Sequence, residues 1–340
     1  MAALTRAGVL TNYIEVATHL GLNPDRMLRQ VGLSRALIAQ PEQRIPTTAA
    51  VMLLEESAEE SGCMTFGLRM AESRQLSDFG AISLLLMHQP RLRDALRITV
   101  EYRHLLNEAL AIHIEEQGKS VIIREEVITD PPMQSRQAME LAIGVMYRLC
   151  SALLGAFWLP QSVNFTHGSP PDLQTHKRLF RCSLEFNCEF NGIALGADDL
   201  DKPNPLADKA LAKHAQNYVE TLAPVSTDPS LELDVRKAIY LLLPLGRATI
   251  EQIAQTLGMN VRTLQRRLVD QGATFSDIIN SVRQDLVMRY MQNSQYTVGQ
   301  IADLLGYGVP SSFTRWFISQ YGVSPAQWRS AQGQSETSDA

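Results

Sequence analysis

At 340 residues, with 45% hydrophobic and 20% charged, the chain is longer than a single compact core usually runs and has the composition of a folded globular protein, which excludes a disorder-dominated one. The net charge of −5 excludes a protein that coats nucleic acid over its whole surface, yet the charge is divided: residues 236–329 carry ten Lys and Arg against five Asp and Glu, whereas residues 1–235 carry a net −8. Only a mildly basic C-terminal module is left to meet a polyanion.

In chain order, helical periodicity runs through Val51 to Ser61, Phe79 to Met87 and Arg91 to Glu108. ALAIHIEEQGKSVIIREEV then alternates apolar and polar residues on both sides of Gln117-Gly118-Lys119, which predicts a β-hairpin. A helix follows over Gln137 to Phe157. Its apolar stretch is interrupted by Glu140 and Arg148, so it is expected in a core rather than in a membrane. SLEFNCEFNGIALG, Ser183 to Gly196, alternates again and predicts strand.

Residues 1–221 are therefore expected to form an α+β domain, large enough to enclose a pocket, that senses an effector and dimerises. Polar groups set among apolar neighbours, Tyr102, Arg103, Tyr147 and Arg148, are its candidate effector contacts. Cys63, Cys150, Cys182 and Cys188 lack the spacing of a zinc site and are expected as buried free thiols; neither metal nor cofactor is implied. The N-terminus lacks the features of a signal peptide, so a cytoplasmic location is expected. LAPVSTDPSLE at 222–232 reads as a linker, and 330–340 as a flexible tail.

Beyond the linker the chain turns almost wholly helical and contains a duplication. TIEQIAQTLG at Thr249 to Gly258 returns as TVGQIADLLG at Thr297 to Gly306, identical at six of ten positions. In each copy Thr caps a helix, with Gln252 or Gln300 completing a capping box, and a glycine ends it. After the first copy, Asn260 starts a second helix on which Val261, Leu264 and Leu268 face inward. Arg262, Gln265 and Arg266 share the opposite face, with Thr263 beside them. Arginine and glutamine suit bidentate contacts with guanine and adenine edges in a major groove. After the second copy, Pro310 opens a helix with Phe313, Trp316 and Phe317 inward and Ser311, Ser312 and Arg315 outward.

Helix, tight turn and polar-faced second helix make a helix-turn-helix, here twice, at about 249–270 and 297–320. A helix from Phe275 to Asn293, capped by Thr274, would hold the two readers apart. A separation of about 34 Å would let them enter successive major grooves of double-stranded DNA. Arg283 and Arg289 are candidate phosphate contacts.

IADLLGYGVPSSFTRWFISQYGVSPAQWR, Ile301 to Arg329, resembles the signature of the AraC/XylS family of transcription regulators. Ile301, Ala302, Gly306, Tyr307, Phe313, Arg315, Phe317, Gly322, Ser324, Pro325 and Arg329 fall on its pattern, which departs at Val309, where the family often carries a polar cap. The N-terminal part is similar to the subgroup with an arabinose-binding-like domain, which includes ornithine-utilisation and virulence regulators; that domain's name does not specify its ligand. The resemblance implies an all-α DNA-binding domain over 233–329, with its two helix-turn-helix units joined by a long helix. It also implies contact with RNA polymerase and base contacts through Arg262, Gln265 and Arg266.

An enzyme is disfavoured: the nucleophile elbow, the phosphate-binding loop, the zinc-protease motif and the dinucleotide fingerprint are all missing, so no catalytic residue is expected. The expectation is a homodimeric, effector-responsive activator of a metabolic or virulence operon. The alternatives are a repressor, or a constitutive DNA-binding protein without an effector.

Overall fold

The computed structural model describes residues 3–222, 231–293 and 295–335, and the chain forms two compact units, Met1–Thr227 and Asp228–Ala340. Most of the expected linker, residues 223–230, lies outside the described residues.

In unit 1, β1 (Leu4–Arg6) pairs antiparallel with β2 (Arg44–Pro46). Five further strands, β3 (Leu110–Gln117), β4 (Ser120–Val127), β5 (Ser162–Asn164), β6 (Ser183–Glu185) and β7 (Gly192–Gly196), form one sheet in the order β3-β4-β7-β5-β6. Neighbours are antiparallel except β5 and β6. The predicted hairpin is β3-β4: Gln117 pairs with Ser120, leaving Gly118-Lys119 as a two-residue turn with Gly118 at φ 62°.

The helix Arg136–Leu154 packs against β4, β7 and the helix Phe66–Glu72. Two glycines permit the helix contact. A Cβ on Gly144 would stand 2.5 Å from that of Ala71, and one on Gly67 would run into the Gln137 carbonyl. Glu140, the charge that interrupts this apolar helix, is fully buried, with His167 Nε2 at 3.2 Å and His176 Nε2 at 3.4 Å from its Oε1. Arg136 Nε approaches the same oxygen at 3.3 Å.

Several expected elements are shorter than their periodicity suggested. The segment Phe79 to Met87 is a 3-10 turn, Leu76–Ile82, followed by the helix Ser83–Met87; the break is at Gly80, whose φ of 66° leaves the helical region. Arg91 to Glu108 breaks at Tyr102 into Leu92–Glu101 and a short turn, Arg103–Leu106. Ser183 to Gly196 is two strands, β6 and β7, with β5 between them in the sheet. Of the four cysteines, which form no disulfide, only Cys150 is fully buried, the others being half-buried.

Unit 2 is helical. The helix Leu231–Leu242 packs on the bridging helix Phe275–Gln292, where Arg236 meets Asp285 at 2.6 Å. The last helix, Pro325–Ser335, runs into the segment expected as a tail from 330; after Ser324 caps its start, the Ala- and Gln-containing sequence sustains helix.

Candidate nucleic-acid interface and ligand cavity

Both duplicated segments fold alike in detail. The helices Ile250–Thr256 and Val298–Leu304 begin with capping boxes, Thr249 with Gln252 and Thr297 with Gln300. Each ends in the same pair of backbone bonds. Gly258 and Met259 donate to the carbonyls of Gln255 and Ala254, and Gly306 and Tyr307 donate to those of Asp303 and Ala302. The glycines sit at φ 67° and 70°, which explains why neither position carries a side chain.

The second helices are Val261–Asp270 and Pro310–Tyr321. Asn260 caps the first, accepting from Thr263 N at 2.8 Å. Val309 gives the second no side-chain cap, and Pro310, which has no N–H to satisfy, starts it. Leu264, Leu268, Phe313 and Phe317 are fully buried. Arg262, Gln265 and Arg266 are exposed with Thr263 half-exposed, and Ser311 and Arg315 are exposed with Ser312 half-exposed. Arg315 rests on the Ser312 hydroxyl at 3.4 Å. Among the described residues of unit 2 the exposed cations are Arg247, Arg262, Arg266 and Arg315, so three of four stand on the two candidate reading helices. The bridging helix of 18 residues spans about 27 Å at 1.5 Å per residue.

Two other basic groups, Arg283 and Arg329, serve the fold, and Arg289, the second candidate phosphate contact, is half-exposed. Arg283, a candidate phosphate contact from sequence, is half-buried; its Nε donates to the Leu305 carbonyl at 3.0 Å and its guanidinium lies 4.3 Å from the Tyr307 ring centre. Arg329 donates to the carbonyls of Met291, Tyr296, Tyr290 and Asn293, closing the end of the bridging helix.

Unit 1 contains a cavity of about 120 Å³ between the β3-β4 hairpin and the helices Thr47–Ser61 and Arg136–Leu154. The latter helix lines it with Ala138, Leu141, Ala142, Val145 and Met146, one helical face on which the alanines leave room. The hairpin contributes Leu110 and Ile112 opposite Val127 and Glu125, and the polar side chains of the lining include Thr47, Arg74 and Glu125 along with Arg6, Asp78, Thr99 and Asn107. Burial pushes the Glu125 carboxyl up to about 8 and the Arg74 guanidinium down to about 10.

The four candidate effector residues lie outside this lining. Tyr147 is a core residue, stacked on Trp158 and edge-on to Phe180; Tyr102 is buried near His104. Arg103 donates to the Val100 carbonyl and Arg148 to that of Arg74, so Arg148 reaches the cavity wall only through backbone. Glu125 escaped the sequence reading, although a signal was present: it falls in phase with Val121, Ile123 and Val127 on the apolar side of a strand.

Comparison with known proteins places this geometry. Residues 21–204 match the profile described as the arabinose-binding domain of AraC transcription regulator, N-terminal, and residues 235–331 match a helix-turn-helix domain. The chain is 27% identical over 335 residues to the HTH-type transcriptional regulator VirS of Mycobacterium tuberculosis, covering 98% of each chain. It is 21% identical over 322 residues to the ornithine utilization regulator of Pseudomonas aeruginosa, covering 94% of each. The crystal structure of the transcriptional regulator CdpR from Pseudomonas aeruginosa aligns over 95% of this chain and 96% of its own, with a TM-score of 0.46 and 20% identity. The chain belongs to the AraC family of transcription regulators, in the group with an arabinose-binding type of N-terminal domain, and it is a DNA-binding regulator of transcription and not an enzyme.

Proposed function

We propose that the protein is a cytoplasmic, effector-responsive activator that works as a homodimer with RNA polymerase. In this reading residues 1–221 bind the effector and dimerise, and residues 233–329 read DNA. Arg262, Thr263, Gln265 and Arg266 contact one major groove, and Ser311, Ser312 and Arg315 contact the next. The family resemblance is what supports activation and the polymerase contact in this reading. The observation that carries the effector reading is the unit 1 cavity, whose largely apolar walls hold buried polar atoms that lack partners among the described residues. A ligand acts there only by binding one arrangement of the protein better than another.

The test pairs three measurements on the full-length chain: selection of a binding sequence from random DNA, a thermal-shift screen of amino, fatty and aromatic acids and alcohols, and a reporter driven by the selected site. A compound at about 100 times its Kd stabilises the fold by about 2.7 kcal/mol. An activator raises reporter output when that compound is present. Reduced output makes the protein a repressor, and a chain that no compound stabilises, with constant output, binds DNA constitutively.

A further inference from the structure

Glu125 is a cavity residue that the fold itself does not account for. It occupies a β4 position where the alternation of Val121, Ile123 and Val127 calls for an apolar side chain, and it pairs with Ile112 across the ladder. It is 2% exposed, and its Oε2 has no hydrogen-bond partner among the described residues. Leaving such an atom unsatisfied costs about 1–3 kcal/mol. Two more buried atoms on the same walls, Thr47 Oγ1 and Arg74 Nε, also lack partners among the described residues. Other polar side chains of the lining are already engaged, Arg6 with Glu42, Asp78 with Gln75 N and Thr99 with the Ala95 carbonyl, so the three unsatisfied groups around this largely apolar space are explained together by a ligand that completes them.

We infer that the cavity binds a small uncharged alcohol or phenol, with a body on the scale of one six-membered ring and a hydroxyl that pairs with the Glu125 carboxyl. This rests on the effector reading and names its chemistry. Size sets the body: the cavity measures about 120 Å³, and benzene occupies an apolar cavity of roughly 150 Å³. Burial disfavours ions: a charged ligand must shed its water into a space where burial already pushes the Glu125 carboxyl and the Arg74 guanidinium towards their neutral forms. A zwitterion would need Arg74 to clamp its carboxylate, but Nη1 and Nη2 are already turned onto the carbonyls of Gly8 and Val9, and Nε is the one guanidinium nitrogen without a partner among the described residues. A hydroxyl donates one hydrogen bond and accepts others, so it pairs with Glu125 while accepting from Thr47 or Arg74.

Calorimetric titration of the full-length protein with phenol, benzene and valine tests this, with DNA affinity measured in parallel on a sequence selected from a random pool. Phenol is expected to bind about tenfold more tightly than benzene, with valine not binding. Glu125→Leu is expected to keep benzene binding and erase the preference for phenol. Ala142→Leu, which fills the cavity from the helix side, is expected to abolish both and stands in should Glu125→Leu fail to fold. Equal binding of phenol and benzene to the wild type, an unaltered preference in Glu125→Leu, or valine binding more tightly than phenol overturns the inference. Phenol binding with the expected preference but no change in DNA affinity upholds it and defeats the effector reading. Absence of phenol binding, while another class of compound stabilises the protein and alters DNA affinity, does the reverse.

Discussion

Arg283 on the bridging helix and Tyr307 in the second helix-turn-helix are joined face to cation, 4.3 Å from guanidinium to ring centre, with Arg283 Nε donating to the carbonyl of Leu305. The contact fastens the long helix to the turn that sets the angle of the second reading helix. Arg283→Ala is expected to destabilise unit 2 by about 1–3 kcal/mol, through loss of a cation–π contact and a half-buried hydrogen bond. DNA affinity then falls with the folded fraction. Normal melting together with a weaker salt dependence of binding would instead assign Arg283 to a phosphate.

Gly258 and Gly306 share a backbone conformation but not a surrounding. Both need φ near 70°, yet a Cβ on Gly258 would meet open space, whereas one on Gly306 would stand 2.9 Å from Leu243 Cδ1. Alanine at either position is expected to cost about 1 kcal/mol for the backbone. Gly306→Ala should cost more because buried Leu243 must move, and Gly306→Val more again. Equal melting temperatures for Gly258→Ala and Gly306→Ala would show that Leu243 yields freely.

The two reading faces call for different outcomes. Arg262→Ala and Arg266→Ala are each expected to weaken binding to the selected sequence by about 1–3 kcal/mol and to relax preference at a single base pair. Melting should be unchanged, because both side chains are exposed. A loss that is equal on specific and random DNA would make that arginine a phosphate clamp.

The C-terminal unit was legible because its information is local. Caps three residues apart, apolar stripes at helical spacing and a glycine after each short helix all act within one turn of chain, and each appears in the structure at its expected residue. Arg329 and Gly306 belong to the recognisable signature yet support the fold, which explains why that signature says little about the DNA sequence read. The cavity was not legible, because its walls come from distant segments: Thr47, Arg74, Glu125 and Ala142 meet only after the sheet and helices pack. Tyr147 and Arg148 looked suited to a pocket for their polarity, but aromatic stacking and a backbone carbonyl occupy them.

Glu140 is expected to make unit 1 sensitive to acid. Burial alone raises its carboxyl, but His167 and His176 more than reverse this and hold it low, at about 2. Because the folded state holds the carboxylate below its ordinary range, its stabilising contribution is present above the usual value of 4.5 and is lost as pH falls towards 2. Glu140→Gln is expected to cost about 3–5 kcal/mol at neutral pH, because it removes the buried carboxylate that Arg136, His167 and His176 all face. The difference from wild type narrows in acid. A constant difference from pH 7 to 3 would rule out this electrostatic account.

Glu125 is expected to act in the opposite sense. Burial lifts its carboxyl from 4.5 to about 8, so between these values the folded state holds a proton that the unfolded chain has released. Its contribution is fully present below pH 4.5, falls as pH rises, and levels off above about 8, with a limiting slope of about 1.4 kcal/mol per pH unit. Glu55, lifted to about 7 mainly by burial and accepting from Gln137 N, adds a slope of the same sign. Wild type and Glu125→Gln must therefore be compared, since Glu55 titrates in both and cancels. The variant is expected to gain on the wild type steadily from pH 5 to 8 in denaturant melts of the ligand-free protein. Parallel stability curves over that range would mean that Glu125 is solvated, and that the cavity is wetter than its apolar walls imply.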